Sequence, residues 1–382
     1  MRIVLVHDYL NQRGGAERVV AAMHRIYPEA EVHTLLVDRT KLWEPLQDAV
    51  IVPSFLQRIP LIRNHFKLFF WLYPFAIRHL KIPECDVVLT SSSAYAKGVR
   101  LKVHQGHRPV HVCYCHNPMR FAWDFHRYME HETKNRALAL AAKLLVPLLR
   151  RWDLRTSRDV DIFLANSTTV QKRIEKIYGR FSEVVFPPVD IAPTVGWAAP
   201  EDYFLVVSRL VSYKRIDLAV RACSRLHKRL IVIGTGPDKE RLMSLAGPTV
   251  EFLGWQPDEV VREYMARCKA LIFPGEEDFG ITPVEVNGLG RPVVAYQGGG
   301  ALDTLVEGLN GVFFPRATVQ SLKEALTLFE RLDWDSQEIR NLALRFAPSR
   351  FESELKAVLH RVVPGNQVRA EEEQEFVRRI GG

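Results

Sequence analysis

Short apolar, β-branched runs recur along this 382-residue chain, and segments of helical period separate most of them. Runs near 2–7, 31–36, 86–91, 110–115, 161–166 and 183–186 predict strands in the first half. Runs near 203–208, 229–234, 250–254, 270–274, 292–296 and 311–314 predict strands in the second. Strands this uniformly apolar must be covered on both faces, as in parallel sheets joined by crossover helices. The same grammar appears twice, so the expected architecture is α/β with two Rossmann-like domains. Length agrees, since a single core rarely grows past roughly 250–300 residues. The boundary is expected between Pro187 and Pro200, a stretch rich in Pro and Ala that holds no long element. This gives a first domain over 1–190, a linker over 191–200 and a second domain over 201–346. A helix over 347–362, placed to cross back to the first domain, and a charged tail over 363–382 complete the chain.

Composition excludes several classes. At 47% hydrophobic and 25% charged the chain is neither fibrous nor disordered. No uncharged apolar run approaches the roughly 20 residues needed to span a bilayer. The start, Met1 to Asp8, reads as a strand running into a polar loop rather than a signal peptide. A soluble, cytoplasmic chain is expected. Five cysteines form no disulfide framework. Cys113 and Cys115 share one strand face, but a zinc site needs a second ligand pair that the sequence lacks, so both read as small core residues. Charge is uneven: residues 51–160 hold 18 Lys and Arg against 7 Asp and Glu, an excess of 11. The first half therefore suits an anionic partner.

Ligands of parallel α/β sheets sit at the carboxyl ends of the strands. There, Gly14-Gly15-Ala16-Glu17 precedes a helix, which lets an anion approach backbone amides or simply makes a tight turn. His116 follows strand 110–115, where it can donate to a sugar or phosphate oxygen. Ser208 to Arg215 carries Arg209, Lys214 and Arg215 just before a helix; cations there suit a diphosphate whose departing charge needs stabilising. Gly234-Thr235-Gly236-Pro237 suits a turn with Pro opening a helix. Glu277 and Glu285 lie eight positions apart around Phe279, Gly280, Ile281 and Thr282. Thr282, Pro283 and Glu285 read as N-cap, N1 and N3 of a capping box. Alternatively Glu285 accepts from ribose hydroxyls. Gly298-Gly299-Gly300 again permits close backbone approach.

Taken together these loops resemble the retaining glycosyltransferases of family 4. Glu277 and Glu285, within E-D-F-G-I-T-P-V-E, are similar to that family's E-x7-E motif; S-R-L-V-S-Y-K-R at 208–215, G-G-A-E at 14–17 and A-N-S at 165–167 match further loops. The resemblance runs from residue 1 to about 362. It implies a GT-B fold with two parallel sheets facing across a cleft, and no cofactor or metal beyond a nucleotide-sugar co-substrate. By resemblance Arg209 and Lys214 neutralise the departing diphosphate, and amides near Gly280, Ile281 and Thr282 assist. Gly14, Gly15, Gly234 and Phe279 line the donor, Glu285 holds ribose and Glu277 the sugar hydroxyls. His116 stands on the acceptor side. C-H-N-P-M-R-F-A-W-D at 115–124 and P-P-V-D at 187–190 resemble bacterial mannosyltransferases of surface-polysaccharide assembly, which implies GDP-mannose. Asp303 departs from the Glu expected in the family's G-G-x-x-E, and no role is carried over to it.

Two D-x-D triplets, Asp159-Val160-Asp161 and Asp333-Trp334-Asp335, lie away from strand carboxyl ends and read as structural. The stretch Phe66 to His79 is unusually apolar, with cations around it. Arg63, Lys67, Trp71, Arg78 and Arg120 are expected on the acceptor or membrane side, and a Leu-rich stretch over 137–151 accompanies them. The alternative is a buried helix pair on the first sheet. An anionic membrane surface at the inner face of the cell membrane and a lipid-linked or saccharide acceptor are the expected partners; no nucleic-acid module is present. Other classes to weigh are a transferase using a UDP-sugar, a GT-B epimerase or phosphorylase, and a nucleotide-sugar-binding protein without turnover.

Overall fold

The computed structural model describes residues 1–60, 62, 66–103, 106–124, 136–191 and 199–362, without the side chains of 67, 68 and 136–144. It divides into two compact units: Met1–Pro188 with the helix that starts at Pro348, and Val189–Ala347.

The first unit is built on seven parallel strands: β1 (Ile3–Leu10), β2 (Val32–Val37), β3 (Ile51–Pro53), β4 (Val87–Ser92), β5 (Val110–Cys115), β6 (Ile162–Ala165) and β7 (Ser182–Val184). Their order is β3-β2-β1-β4-β5-β6-β7. Its helices are α1 (Gly15–Ile26), α2 (Tyr73–Arg78), α3 (Arg120–Trp123), α4 (Arg136–Ser157) and α5 (Thr168–Tyr178). The second unit has six parallel strands: β8 (Phe204–Val207), β9 (Leu230–Ile233), β10 (Val250–Gly254), β11 (Ala270–Phe273), β12 (Val293–Tyr296) and β13 (Gly311–Phe314), in the order β10-β9-β8-β11-β12-β13. Its helices are α6 (Ile216–Arg225), α7 (Lys239–Ser244), α8 (Asp258–Arg267), α9 (Ile281–Gly288), α10 (Ala301–Thr304), α11 (Val319–Phe329) and α12 (Ser336–Ala343). The last described helix, α13 (Pro348–Val362), returns the chain to the first unit.

The expected pair of doubly wound parallel α/β domains is thus present. The apolar runs form the strands because both faces are covered: Leu5, Val32, Val87, Leu89 and Val112 share one core with Val20 and Met23 of α1 and with Phe351, Leu355 and Leu359 of α13. Two readings of the sequence need correction. Ile51–Pro53 is a strand that the pattern did not announce; it is three residues long and sits at the sheet edge, where Pro is tolerated. The first strand does not give way to a polar loop at residue 7 but continues to Leu10 with His7 and Asp8 buried.

Asp8 tolerates burial because its carboxylate is fully used. Oδ2 accepts from the amides of Ser93 and Ala94 at 2.6 and 2.9 Å, and Oδ1 from those of Tyr95 and Ala96 at 2.7 and 2.6 Å. One side chain on β1 thereby organises the turn after β4. A second buried charge, Asp153 of α4, pairs with Lys97 and accepts from Trp123 Nε1 at 2.7 Å and Tyr178 OH at 2.8 Å. It ties α3, α4 and α5 to the same turn. All five cysteines are buried and unbridged. Cys113 and Cys115 pack with Val160, Phe163 and Ile174, and burial pushes the Cys113 thiol up to about 12.

Asp8→Asn places an amide nitrogen against two of those four N–H groups. With about 1–3 kcal/mol at stake for each unsatisfied buried donor, the variant is expected to lower the first unit's stability by about 3 kcal/mol. Native-state hydrogen exchange should show protection of amides 93–96 falling with it; unchanged protection would contradict this account.

Candidate active site

Four loops leave the carboxyl ends of β8, β9, β11 and β12, and glycines let their backbones touch. A Cβ on Gly234 would sit 2.0 Å from the Ser208 carbonyl oxygen, and one on Gly236 2.1 Å from that of Leu210. The β8 and β9 loops are further joined by Leu210 N donating to Thr235 O at 2.9 Å. A Cβ on Gly275 would meet Lys214 Cα at 2.9 Å, and one on Gly299 the Glu277 oxygen at 2.2 Å. Gly300 N donates to that same oxygen at 2.8 Å. Gly234 and Gly299 also have φ of +134° and +63°, where a side chain is strained. Gly234 therefore has a steric reason to be glycine besides any role toward a nucleotide.

This tiling puts Lys214, from the β8 loop, against Glu277, from the β11 loop. The ammonium and carboxylate form an ion pair, and both are partly buried. Arg209 is exposed on the same loop. Arg215, the third cation, is drawn off: its φ of +52° ends the turn Ser212–Lys214, and its guanidinium pairs with Asp217 at 3.1 Å. Of the three cations, Arg209 is exposed, Lys214 is paired across to the β11 loop, and Arg215 is paired within its own segment.

The capping-box reading of Glu285 fails. The N-cap of α9 is Gly280, with φ +86° and no side-chain cap, so Ile281 is N1 and Glu285 lies a full turn in at N5. Thr282 does not cap and Pro283 is not N1, because the left-handed Gly280 already turns the chain into the helix. Phe279 is buried and packs edge-on to Phe346, with ring centroids 5.4 Å apart. The far end of α9 is fixed by a buried amide pair: Asn287 Nδ2 donates to Arg291 O at 2.8 Å, and Asn310 Nδ2 to Asn287 Oδ1 at 2.9 Å. Asp303 lies in α10, and its carbonyl accepts from Arg345.

In the first unit His116 follows β5 directly and is nearly buried, with its ring 5.2 Å from that of Tyr114. Its Nε2 lies 2.8 Å from Ser91 Oγ. Gly14 is the N-cap of α1, and a Cβ there would lie 2.6 Å from Glu17 Oε2, so the glycine clears room for a folded-back carboxylate. Gly15 begins the helix. Arg120 opens α3, while Trp71 and Arg78 are exposed. Arg63 and the Lys67 side chain lie outside the described residues. Sequence reasoning passed over Ser91, His7 and Glu17, which stand together behind His116. The available signal was ionisable residues inside an otherwise apolar first strand and its following turn.

Of the D-x-D residues, Asp161 accepts from Arg108 and from His111 N at 2.8 Å, and Asp335 caps α12. Among the described residues no helix is long and apolar enough to cross a membrane.

Residues 13–193 match the Glycosyltransferase Family 4 model, and residues 191–344 match the model for Glycosyl transferases group 1. The two matches adjoin and together run from residue 13 to residue 344, so each half of the chain is similar to a glycosyltransferase family. Among similar proteins are the GDP-mannose-dependent alpha-mannosyltransferase of Mycobacterium tuberculosis, 28% identical over 51% of this chain and 48% of the relative, and a glycogen synthase of Xanthomonas oryzae pv. oryzae, 30% identical over 32% of this chain and 26% of the relative. The chain thus spans half or less of the curated relatives it matches. The crystal structure of Anabaena HepE in complex with UDP-glucose superposes with a TM-score of 0.67 at 17% identity, covering 94% of this chain and 99% of that one. The fold is GT-B.

Gly299→Ala forces a methyl against the Glu277 carbonyl in a left-handed backbone. Overpacking of this kind costs about 1–3 kcal/mol. A lower unfolding midpoint for the second unit is expected in urea, and wild-type stability would show the loop contact to be looser than drawn.

Proposed function

We propose that the chain is a retaining, metal-independent hexosyltransferase, an alpha-mannosyltransferase that moves mannose from GDP-mannose to a hydroxyl of a lipid-linked or saccharide acceptor in surface-glycan synthesis. The observation that carries the reading is the meeting of Lys214 and Glu277 on adjacent loops at the carboxyl edge of the second sheet. Such a pair is ready to be divided between a donor's two ends. Lys214 turns with Arg209 to the diphosphate, and Glu277 accepts from sugar hydroxyls. Amides at Gly280, Ile281 and Thr282 open α9 and add positive potential toward phosphate. Glu285 accepts from ribose hydroxyls. The anomeric carbon–phosphate oxygen bond breaks with its electron pair leaving on the diphosphate. The acceptor oxygen bonds to the same face, and its proton passes to the departing phosphate oxygen. His116 stands on the acceptor side. Stabilising the leaving charge is the main catalytic contribution, at about 10²–10³ in rate per contact.

Mannose and GDP are supported by the mycobacterial relative's name, and the HepE complex supports UDP-glucose as the competing donor class. Thermal unfolding with GDP, GDP-mannose, UDP or ADP, each with and without EDTA, separates them. Stabilisation by GDP and GDP-mannose that survives EDTA is expected. A shift with UDP alone would replace the donor, and no shift at all would remove the nucleotide-sugar reading. Lys214→Ala and Glu285→Ala are each expected to slow GDP release from GDP-mannose, in the presence of a lipid-diphosphate-linked saccharide, by about 10²–10³-fold. Near-normal rates in both would overturn the site assignment.

The acceptor's lipid calls for a place on an anionic membrane at the cytoplasmic face. Trp71 and Phe75 are more than half exposed, Phe55 packs edge-on to Phe75, and Arg58 and Arg78 flank them. Aromatic rings with adjacent cations suit the headgroup region. Cosedimentation with phosphatidylglycerol vesicles should fall with rising salt and with Trp71→Ala plus Phe75→Ala. An unchanged bound fraction would remove this face from the membrane.

A further inference from the structure

Behind His116 a line of buried polar groups reaches from one side of the first sheet to α1. Ser91 is on β4, His7 on β1 in register with it, and Glu17 in the first turn of α1. All three are almost wholly buried. His116 Nε2 lies 2.8 Å from Ser91 Oγ. His7 Nδ1 lies 3.0 Å from the same oxygen and 3.1 Å from the Ser91 carbonyl oxygen. His7 Nε2 faces Glu17 Oε1 at 3.9 Å, the span of an ion pair rather than a direct hydrogen bond. Gln12 Nε2 donates to that carboxylate oxygen at 3.0 Å. Burial alone would raise the Glu17 pKa; His7, Gln12 and the Glu17 backbone amide together outweigh it and hold the carboxyl below its ordinary value. Glu17 is therefore a charged anchor at the end of the line.

The directions of these bonds follow from which atoms can only accept. A backbone carbonyl only accepts, so a bare lone pair on His7 Nδ1 would face another lone pair at 3.1 Å. Hydrogen belongs on Nδ1. With Nδ1 donating, His7 cannot accept from Ser91. The Ser91 hydroxyl hydrogen then has His116 Nε2 as its acceptor, and a neutral His116 must carry its hydrogen on Nδ1.

We infer that Glu17, His7 and Ser91 are positioning residues that set His116 in its Nδ1–H tautomer. This rests on the reading above that His116 serves the transfer site, and it sharpens it: His116 meets a sugar or phosphate oxygen as a hydrogen-bond donor, not as a base. It also gives Gly14 and Glu17 of the glycine loop a task inside the first domain. Gly14 leaves space for the carboxylate that orients His7, and His7 orients the serine.

The test is the nitrogen spectrum of histidine side chains in the selectively labelled protein, with His116 assigned by loss of its signals in His116→Gln. A protonated Nδ1 and an unprotonated Nε2 are expected for His116 in the wild type, together with a protonated Nδ1 on His7. A His116 protonated at Nε2 would overturn the inference with no variant needed. Ser91→Ala is expected to lose the single tautomer, and Ser91→Thr, which keeps the hydroxyl, to restore it. Glu17→Gln is expected to weaken it by releasing His7. An unchanged His116 signal in a folded Ser91→Ala protein would also overturn the inference. The parallel measurement is GDP release from GDP-mannose under the conditions given above. Wild-type release by His116→Gln would take His116 out of the transfer site and so remove its part in the functional reading, whereas the tautomer result concerns the positioning line alone. A fall in kcat for Ser91→Ala at unchanged KM for GDP-mannose, reversed in Ser91→Thr, would support both.

Discussion

The second domain depends on backbone touching backbone where a side chain would not fit. Lys214 and Glu277 meet because Gly275 lets the β11 loop lie on the β8 loop, and because Gly299 and Gly300 lay the β12 loop on the other side of it. Parallel strands place their exits along one edge, but this alone leaves the loops a strand spacing apart. Removing Cβ atoms closes that distance. Main-chain bonds such as Gly300 N to Glu277 O then make the closed arrangement specific. The loops' chemistry, one exposed arginine and one lysine–carboxylate pair, is carried by a surface with little room to relax.

The first domain solves a different problem by a different route. Its carboxyl edge is organised by buried polar side chains. Asp8 gathers four amides of the turn after β4. Asp153 draws together Lys97, Trp123 and Tyr178. Each carboxylate is expensive to bury alone and stable only when every lone pair is used. The same turn that Asp8 organises follows Ser91, so the support of the sheet and the support of His116 share one segment.

Much of this was legible in sequence. Strands covered on both faces must be apolar throughout, so the runs at 110–115, 250–254 and 311–314 were placed to the residue. The strand Ile51–Pro53 was not, because three residues with a proline carry too little pattern. The spacing of Glu277 and Glu285 pointed to the right loop, but local rules misassigned its helix start. Thr-Pro-x-Glu satisfies the capping pattern, and only the left-handed Gly280, whose conformation depends on its neighbours in space, shifts the start two residues earlier. Arg215 counted as a third cation until its partner Asp217 was seen. His7 and Glu17 lie ten residues apart in sequence, and their partner Ser91 comes from a strand more than seventy residues later, so no local rule could link them.

The return of α13 to the first domain sets an order of events during synthesis. Phe351, Leu355, Val358 and Leu359 fill the core formed by β1, β2, β4 and α1. Until those four side chains leave the ribosome, that core has an open apolar wall. The second domain is continuous in sequence, from Val189 to Ala347, and its two ends are already joined by Val189 N donating to Phe346 O at 2.9 Å. It is complete before the first domain can be. The portion of the chain made first is therefore the portion that finishes last, with apolar surface uncovered in the interval.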